Sequence, residues 1–401
     1  MRLSVATNFD DALVEQLRDF PVVELFGKLA SDAVGGGRAT YMLRRLGKRR
    51  LAEHVRQAHA HGIGFNYLLN SACTANEEST RQGQERLTRL LDWLGEVAVD
   101  SVTVVLPFLC RLIKRRYPKF KVKVGVFAGV DDAIKARAWE DLGADAITLD
   151  SHAVNRDFRL LEAIRRSVSC DLQLLVNVNC LSSCPFARAH MVALSHASQS
   201  GRSPFLIDYC LLLCSALKAS DKAHYIRSNW IRPEDLHIYE SLGYDLFKIA
   251  ERDAPTATLV RRARAYSERL YNGNLLDLVQ SYAYPDPLPD RFRGSWRWRL
   301  RFFFHPWRVN PIRSLALLRL AQAEGMLSRP KTPPVYIDNR KLDGFLDYFV
   351  RIGCRGRDCG SCRHCAEVAD AAVQVDPDSR QERLKIHAEV LEDIDSGRLW
   401  S

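Results

Sequence analysis

The feature that most constrains the fold of this chain is a regular alternation of short apolar segments with amphipathic helical segments. Within the first 250 residues, eight apolar runs are predicted to be strands: Leu3–Thr7, Val22–Phe26, Gly64–Leu69, Ser101–Val105, Val122–Val126, Ala146–Leu149, Leu172–Asn177 and Leu246–Ala250. Amphipathic helical segments lie between them, and the short turns typical of β-hairpins are missing. This pattern predicts a (β/α)8 TIM-barrel-like fold, with a doubly wound open sheet as the alternative.

The composition is that of a folded globular protein. Hydrophobic residues make up 47% of the 401 residues and charged residues 26%, which excludes a mainly disordered or fibrous chain. No segment approaches the roughly 18 consecutive apolar residues of a transmembrane helix, and the first residues do not resemble a secretory signal, so a cytoplasmic location is expected. The formal charge of +10 favours anionic partners, which include nucleic acid, anionic lipid and anionic small molecules.

Polar residues follow several predicted strands at the end where a barrel builds its active site. We predict that three of them contribute to substrate binding: Asn70, Asn177 and Asn179. Three others follow or belong to the last strand and are candidates for acid–base and anion-binding roles: Lys248, Glu251 and Arg252. Capping and turn formation are the alternative role for each of these positions. Asp150 and His152 follow the sixth strand in the same way.

Eight of the eleven cysteines fall into two groups, and the first group begins just after the seventh strand. Its spacing is Cys180-x3-Cys184-x25-Cys210-x3-Cys214. In a cytosolic chain such pairs usually hold metal, and four converging thiolates suit zinc or an iron–sulfur cluster. Zinc knuckles favour two-residue gaps, so the three-residue gaps here favour the cluster. Four buried cysteines without a ligand are the third interpretation.

The second cysteine group packs four thiols into twelve residues near the end of the chain, as Cys354-x4-Cys359-x2-Cys362-x2-Cys365. Interspersed glycines allow sharp backbone turns. The Cys-x4-Cys-x2-Cys opening resembles a ferredoxin arrangement, whereas the Cys359-x2-Cys362 pair makes a good zinc knuckle. We therefore predict a second [4Fe-4S] cluster that relays electrons to the first, with a structural zinc ion as the alternative.

Six segments of the first 275 residues form a specific combination. Two carry cysteines: Asn179-Cys180-Leu-Ser-Ser-Cys184-Pro-Phe, with His190 and Ser195-His196 after it, and Tyr209-Cys210-Leu-Leu-Leu-Cys214. The others are Val23–Gly27, Gly35–Arg38, Ile231–Leu236 and Phe247-Lys248-Ile249-Ala250-Glu251-Arg252. In this combination the chain resembles the U32 family, historically called collagenase-like peptidases, whose last strand is usually written Lys-Ile-Glu-Gly-Arg.

The resemblance implies a barrel that holds one oxygen-sensitive [4Fe-4S] cluster on Cys180, Cys184, Cys210 and Cys214. Better-understood members are similar in being oxygen-independent hydroxylases of transfer RNA or ribosomal RNA bases or of the ubiquinone ring, with prephenate as the oxygen donor. Two features depart from the family pattern: the first cysteine pair is spaced more tightly, and the acid of the last strand is moved by one position. The resemblance therefore supports cluster binding by this chain more directly than it supports any particular substrate.

Together these observations predict an iron–sulfur oxidoreductase that hydroxylates or otherwise modifies an organic substrate at the barrel mouth. The catalytic candidates are His190, His196, Lys248, Glu251 and Arg252. Arg232 and Arg252 are candidates for binding a dicarboxylate such as prephenate. An electron-donor protein is an expected partner.

Three other functions compete with this prediction. The chain could hydroxylate RNA bases, with its basic segments as the footprint, or serve as an iron–sulfur subunit that depends on a U32-type partner. Peptidase activity is the third, but the Gly-x-Ser-x-Gly and His-Glu-x-x-His motifs are absent. A Cys180 nucleophile paired with His190 or His196 would leave the other three cysteines of the group without a purpose.

We expect three parts along the chain: a barrel over residues 1–275, a linker rich in proline, arginine and aromatic residues over 276–330, and a C-terminal module over 331–401. Residues 291–308 interleave arginines with tryptophans and phenylalanines. That pattern suits a domain interface, a nucleic-acid surface or a peripheral membrane contact.

Overall fold

The computed structural model confirms the predicted barrel; it describes residues 1–201, 205–280, 304–327, 332–355 and 357–401. Eight parallel strands pair in chain order, and the eighth closes on the first, which excludes the open sheet. The strands are β1 (Arg2–Ala6), β2 (Val22–Gly27), β3 (Gly64–Leu69), β4 (Ser101–Val104), β5 (Lys121–Val124), β6 (Ala146–Thr148), β7 (Asp171–Leu175) and β8 (Leu246–Ile249). Each lies within two residues of its predicted bounds, because buried parallel strands form apolar runs that are visible in the sequence.

Helices connect these strands and surround the barrel. They are α1 (Asp11–Leu17), α2 (Lys48–Ala60), α3 (Arg81–Glu96), α4 (Pro107–Arg116), α5 (Ala133–Asp141), α6 (Ser151–Val154), α7 (Phe158–Ser167), α8 (Ala187–His196), α9 (Tyr209–Ser220), α10 (Ala223–Arg227), α11 (Leu236–Glu240) and α12 (Thr256–Glu268). Local sequence explains many of their starts, since an aspartate or threonine side chain accepts a backbone N–H of the first turn. In α7, for example, Asp157 caps the helix while Phe158, Leu161 and Ile164 face the core.

The interior of the barrel contains charged and polar side chains. Glu24 on β2 and Lys123 on β5 form an ion pair at 2.6 Å, and these strands are not neighbours, so the contact crosses the interior. The Ser4 hydroxyl donates to Glu24 at 2.6 Å, and that of Thr103 donates to Asn66 at 2.6 Å. Branched aliphatic residues usually fill a barrel of this kind. Here the interior depends on mutual pairing of buried polar groups.

The C-terminal part of the chain packs against the barrel. Its elements are α13 (Leu276–Val279), α14 (Pro311–Ala323), α15 (Asp347–Arg351), α16 (Cys359–Cys362), α17 (His364–Ala372), α18 (Pro377–Asp395) and an antiparallel pair, β9 (Val335–Ile337) with β10 (Val373–Val375). Buried residues of β9, α15 and α17 belong to the same hydrophobic core as the barrel. Helix α18 packs on α14 and on α9, so the end of the chain supports a helix that carries two cysteines of the first group.

The predicted linker needs correction, because its described residues include two helices, α13 and α14. Most of the segment 291–308 lies outside the described residues. The predictions that it forms a domain interface, an RNA surface or a membrane contact therefore stay predictions. Trp307, within the described part, is 94% exposed. Among the helices of the described ranges, none is both long and apolar enough to cross a membrane.

Candidate functional site

The first cysteine group lies at the C-terminal end of the barrel strands. Cys180 and Cys184 belong to the loop after β7, and Cys210 and Cys214 lie on α9, whose start is capped by Asp208. Cys210 and Cys214 are four positions apart on α9, so their side chains lie on the same face of the helix. Burial raises the pKa of the Cys214 thiol, and the charges of Cys180 and Cys184 raise it further. The fold therefore brings thiols of the loop after β7 and of α9 within electrostatic range of one another.

Cys210 completes the group, because burial raises the pKa of its thiol and the charges of Asp208 and Cys184 add to that effect. All eleven cysteines are free thiols. In the described parts of the chain, no group of three or more histidine, cysteine or acidic side chains is already arranged to hold a metal ion. The four thiols are therefore close enough to influence one another's pKa, whereas binding of a metal or cluster by them stays a prediction.

His152 and Asp150 accompany Cys180. The Nδ1 atom of His152 lies 2.9 Å from Asp150 Oδ1, and the ring also hydrogen-bonds the Cys180 thiol. Burial alone would lower the pKa of His152, but the hydrogen bonds to Asp150 and Cys180 raise it to about 10. Burial raises the pKa of Cys180, and the contact with His152 outweighs this and lowers it to about 7. The sequence already showed that Asp150 and His152 follow β6, but no local pattern connected them with Cys180.

Lys218 is a buried cation that the sequence analysis missed. It follows Cys214 by one helical turn on α9, is 7% exposed, and donates hydrogen bonds to the main-chain oxygen of Asn179 and, at 3.0 Å, to its Oδ1. Burial lowers the pKa of Lys218, while the charges of Cys214, Cys180 and Cys184 raise it. Its position at i+4 from a cysteine was the available signal. Asn179, predicted to bind substrate, is instead occupied in holding this ammonium group.

The two predicted histidines differ in their surroundings. His190 on α8 places Nε2 2.8 Å from Asp208 Oδ2 and so ties α8 to the start of α9. Its charge also contributes to the lowered pKa of Cys180. His196 lies at the end of α8, and its buried Nε2 atom has no hydrogen-bond partner. The structure therefore places His190 beside the cysteine group, whereas no hydrogen bond or ion pair among the described residues connects His196 to it.

Lys248 and Arg252 lie among charged side chains at the barrel mouth. The Nζ atom of Lys248 lies 4.1 Å from the centre of the Phe26 ring, and burial lowers its pKa to about 8. Arg252 is 7% exposed, and burial together with the charge of Arg38 lowers its pKa to about 10. Glu251 has a positive φ of 90° and pairs with Arg38. The structure thus brings together the three candidates predicted around the last strand.

Lys28 and Arg38, from the segment after β2, were not predicted as site residues. The Lys28 ammonium lies 2.8 Å from Asp32, and both residues are buried. Gly36 passes so close to this region that an added Cβ would lie 2.7 Å from Asn70 Oδ1 and 3.1 Å from Lys28 Cδ. That oxygen of Asn70 is buried without a hydrogen-bond partner. Asn70 therefore remains a candidate ligand-binding group.

Two predicted substrate-binding residues have structural roles instead. Asn177 donates to the Ala250 carbonyl at 3.1 Å and accepts from its N–H at 2.7 Å, which fastens the ends of β7 and β8 together. Arg232 is 1% exposed and binds Asp235 through two hydrogen bonds of 2.8 and 2.9 Å. It also donates to Asn339 O and Asp343 of the C-terminal part. These contacts use most of its donors, so Arg232 joins the barrel to that part of the chain.

The second cysteine group lines one pocket in the C-terminal part. Its walls include Cys354, Cys359, Cys362 and Cys365. The Tyr348 hydroxyl lies 3.1 Å from Cys362 Sγ. An open, largely apolar groove of about 390 Å3 lies elsewhere, next to the ends of β4 and β5, where Phe127 and Trp139 contribute to its walls.

Comparisons with known proteins agree with the motifs. The model of the family described as "Peptidase family U32" matches residues 23–272. A relative named "Uncharacterized protease MJ1657", from Methanocaldococcus jannaschii, is 32% identical over 344 residues, which cover 86% of this chain and 87% of that protein.

Two solved structures illustrate the structural similarity. The U32 peptidase Mk0906 is 24% identical, with a TM-score of 0.48 over 64% of this chain and 94% of that one. Phosphoribosyl anthranilate isomerase from Thermus thermophilus is 12% identical, with a TM-score of 0.37 over 67% of this chain and 98% of that one.

Proposed function

This chain belongs to peptidase family U32, and from that premise we propose that it is an iron–sulfur redox enzyme that hydroxylates an organic substrate without O2. The oxygen atom would come from an organic hydroxyl donor of the prephenate type. That donor exchanges its hydroxyl for hydrogen as a substrate C–H bond becomes C–OH, so the reaction balances without an external oxidant.

The observation that carries the proposal is that four thiols from two separate elements, at the active-site end of a barrel, lie within electrostatic range of one another. The surroundings fit a cluster with four thiolate ligands, because the buried Lys218 interacts electrostatically with Cys180, Cys184 and Cys214 and can offer positive charge to an anionic centre. Bound by these three cysteines and Cys210, a [4Fe-4S] cluster would supply electron transfer.

The residues of the mouth favour an anionic substrate or donor. Burial and, to a smaller extent, the charge of Arg252 lower the pKa of both Lys28 and Lys248, so an entering carboxylate would relieve repulsion between Arg252 and these two buried amines. Arg252 can bind a carboxylate through two parallel hydrogen bonds. The unpartnered Asn70 oxygen can accept a hydrogen bond from a hydroxyl group. The apolar groove beside Phe127 offers space for a ring.

Iron and sulfide analysis after purification without air tests the proposal. We expect about four irons and four sulfides for the first group, and their loss in both C180A and C214A. C170A is the matched control, because Cys170 is a partly buried thiol outside both groups. A wild-type chain whose iron content is unaffected by C180A and C214A would refute the proposal.

Peptidase activity is the second candidate, favoured by the names of the relatives and by the Cys180–His152–Asp150 arrangement. In that arrangement His152 would take the thiol proton and Asp150 would orient the ring. The two functions differ in their need for Cys214. A thiol peptidase should lose casein hydrolysis in C180A and H152A but retain it in C214A, whereas cluster chemistry needs all four cysteines.

A further inference from the structure

Arg156 is a buried arginine at the contact between the barrel and the C-terminal part. It is 6% exposed, and its guanidinium carbon lies 4.5 Å from the ring centre of Trp230, 4.9 Å from that of Phe345 and 5.3 Å from that of Phe349. Aromatic faces attract a cation but do not neutralise its charge. The rings therefore enclose Arg156 in a water-poor site without providing a counterion.

The hydrogen bonds of Arg156 do not provide a counterion either. Its guanidinium donates to the carbonyl oxygens of Ile226, at 2.6 Å, and Ser228, while its Nε atom is buried without a partner. Within the described ranges, no ion pair joins Arg156 to an aspartate or glutamate. Burial lowers its pKa, and the groups that raise it are, from the strongest, Cys365, Tyr239, Cys354 and Asp235, the last of which already pairs with Arg232.

A buried charge without a partner costs several kcal/mol, roughly, so a stable fold is expected to place negative charge beside it. Neutral thiols cannot supply that charge. Four thiolates on a metal centre can, because their charge exceeds that of the zinc ion they bind, and a cluster bound by four thiolates is likewise anionic. Phe349 contacts Arg156 and also lines the pocket of the four cysteines, so thiolates of a metal centre in that pocket would compensate the buried charge.

We propose that Cys354, Cys359, Cys362 and Cys365 hold an anionic metal–thiolate centre whose charge is compensated by the buried Arg156. The proposal does not depend on the chemistry of the first cysteine group. Zinc and an iron–sulfur cluster share the chemistry that the pocket recognises, and elemental analysis distinguishes them.

The wall of the pocket is suited to protect such a centre. His364 stacks on Tyr348 with ring centres 4.0 Å apart and on Phe345 at 5.5 Å. The Tyr348 hydroxyl, 3.1 Å from Cys362 Sγ, can donate to a thiolate and so orient it. Arg227 also lines the pocket, but it already has a counterion, Asp221, at 2.9 Å.

The test uses the full-length chain, purified without air and analysed for iron, zinc and sulfide. We expect the C359A/C362A variant to lose one complete centre, either about four irons with four sulfides or about one zinc ion. If the first cysteine group also binds metal, the amount that C359A/C362A retains should equal the amount that C180A/C184A loses. A metal content unchanged by C359A/C362A would overturn the proposal, even if the first group binds a cluster.

R156M tests the charge compensation separately, and R227M is its control. Loss of a supporting contact around metal ligands commonly weakens binding about 10- to 100-fold. We therefore expect R156M to release the C-terminal metal to a chelator about 10-fold faster or more, with R227M close to wild type. Circular dichroism should confirm that both variants fold. Equal release rates for R156M and wild type would overturn the assigned role of Arg156.

Discussion

Replacement of Glu24 and Lys123, singly and together, tests whether the barrel interior depends on paired charges. Their side chains meet at 2.6 Å and are 8% and 13% exposed. Removal of one partner of a buried pair typically costs about 3–5 kcal/mol, because the other charge is left without compensation. Replacement of both by apolar residues of similar size avoids that penalty.

The structure also ranks the two single variants. In E24L, Lys123 loses its partner, the Ser4 hydroxyl loses an acceptor, and the charge that helps to keep Lys248 protonated disappears. In K123M, Glu24 retains hydrogen bonds from Ser4 at 2.6 Å and Ser101 at 3.5 Å. We therefore expect E24L to be the more destabilising variant, by about 1 kcal/mol for the lost hydrogen bond alone. The double variant should lose less free energy of unfolding than the two single variants lose together, by at least about 2 kcal/mol.

Urea unfolding at pH 7, followed by circular dichroism, gives the four free energies of unfolding in this cycle. The exposed pair Arg49–Glu53, at 2.9 Å, supplies the control cycle with R49M and E53L. Its coupling should stay below about 0.5 kcal/mol. If the Glu24–Lys123 coupling is no larger than this control, the interior pair does not need its partner and the reasoning is wrong.

Three further predictions follow from the site. Because burial holds the pKa of Lys248 at about 8, below its ordinary value of 10.5, the unfolded chain binds more protons between these values. Wild type should therefore gain unfolding free energy relative to K248M as pH rises from 8 to 10.5 in urea titrations, and parallel pH curves would contradict this. R232M should lower the free energy of unfolding by about 3–5 kcal/mol in such titrations, because it breaks a buried ion pair. D343N is the control and should cost little, because the Asp343 side chain is 75% exposed. Equal effects of the two variants would restore Arg232 as a candidate substrate ligand. G36A should lower the free energy of unfolding by about 1–3 kcal/mol, because the added Cβ would collide with Asn70. G95A is the control and should be neutral or stabilising, because Gly95 has open space around it. A G36A variant as stable as wild type would contradict the close packing at Gly36.

Several predictions succeeded because their signals are local. The eight strands and their order follow from apolar runs that separate amphipathic helices, and right-handed β–α–β connections leave few ways to arrange them. The spacing of Cys210 and Cys214 places both on one helical face whatever the rest of the fold does. Their nearness to Cys180 was inferred from family resemblance, and the fold is what brings the two pairs together.

The roles that the sequence did not predict depend on which partners the fold places beside each residue. Arg232 was expected to bind a carboxylate ligand, but Asp235 and residues more than 100 positions away occupy it. His152 and Lys218 gain their roles from contacts with Cys180 and its neighbours. The type of a residue states which bonds it can make, but it does not state which acceptor will be present.

By itself, therefore, the sequence determined the eight strands, favoured a barrel over an open sheet, indicated the family and identified eight candidate ligand cysteines, because periodicity and spacing act over a few residues. Tertiary structure alone decided which cations face which thiols, how charges pair across the barrel interior and where Arg156 lies. Those outcomes depend on burial, which raises the cost of an unpaired charge and exists only after distant segments have packed together.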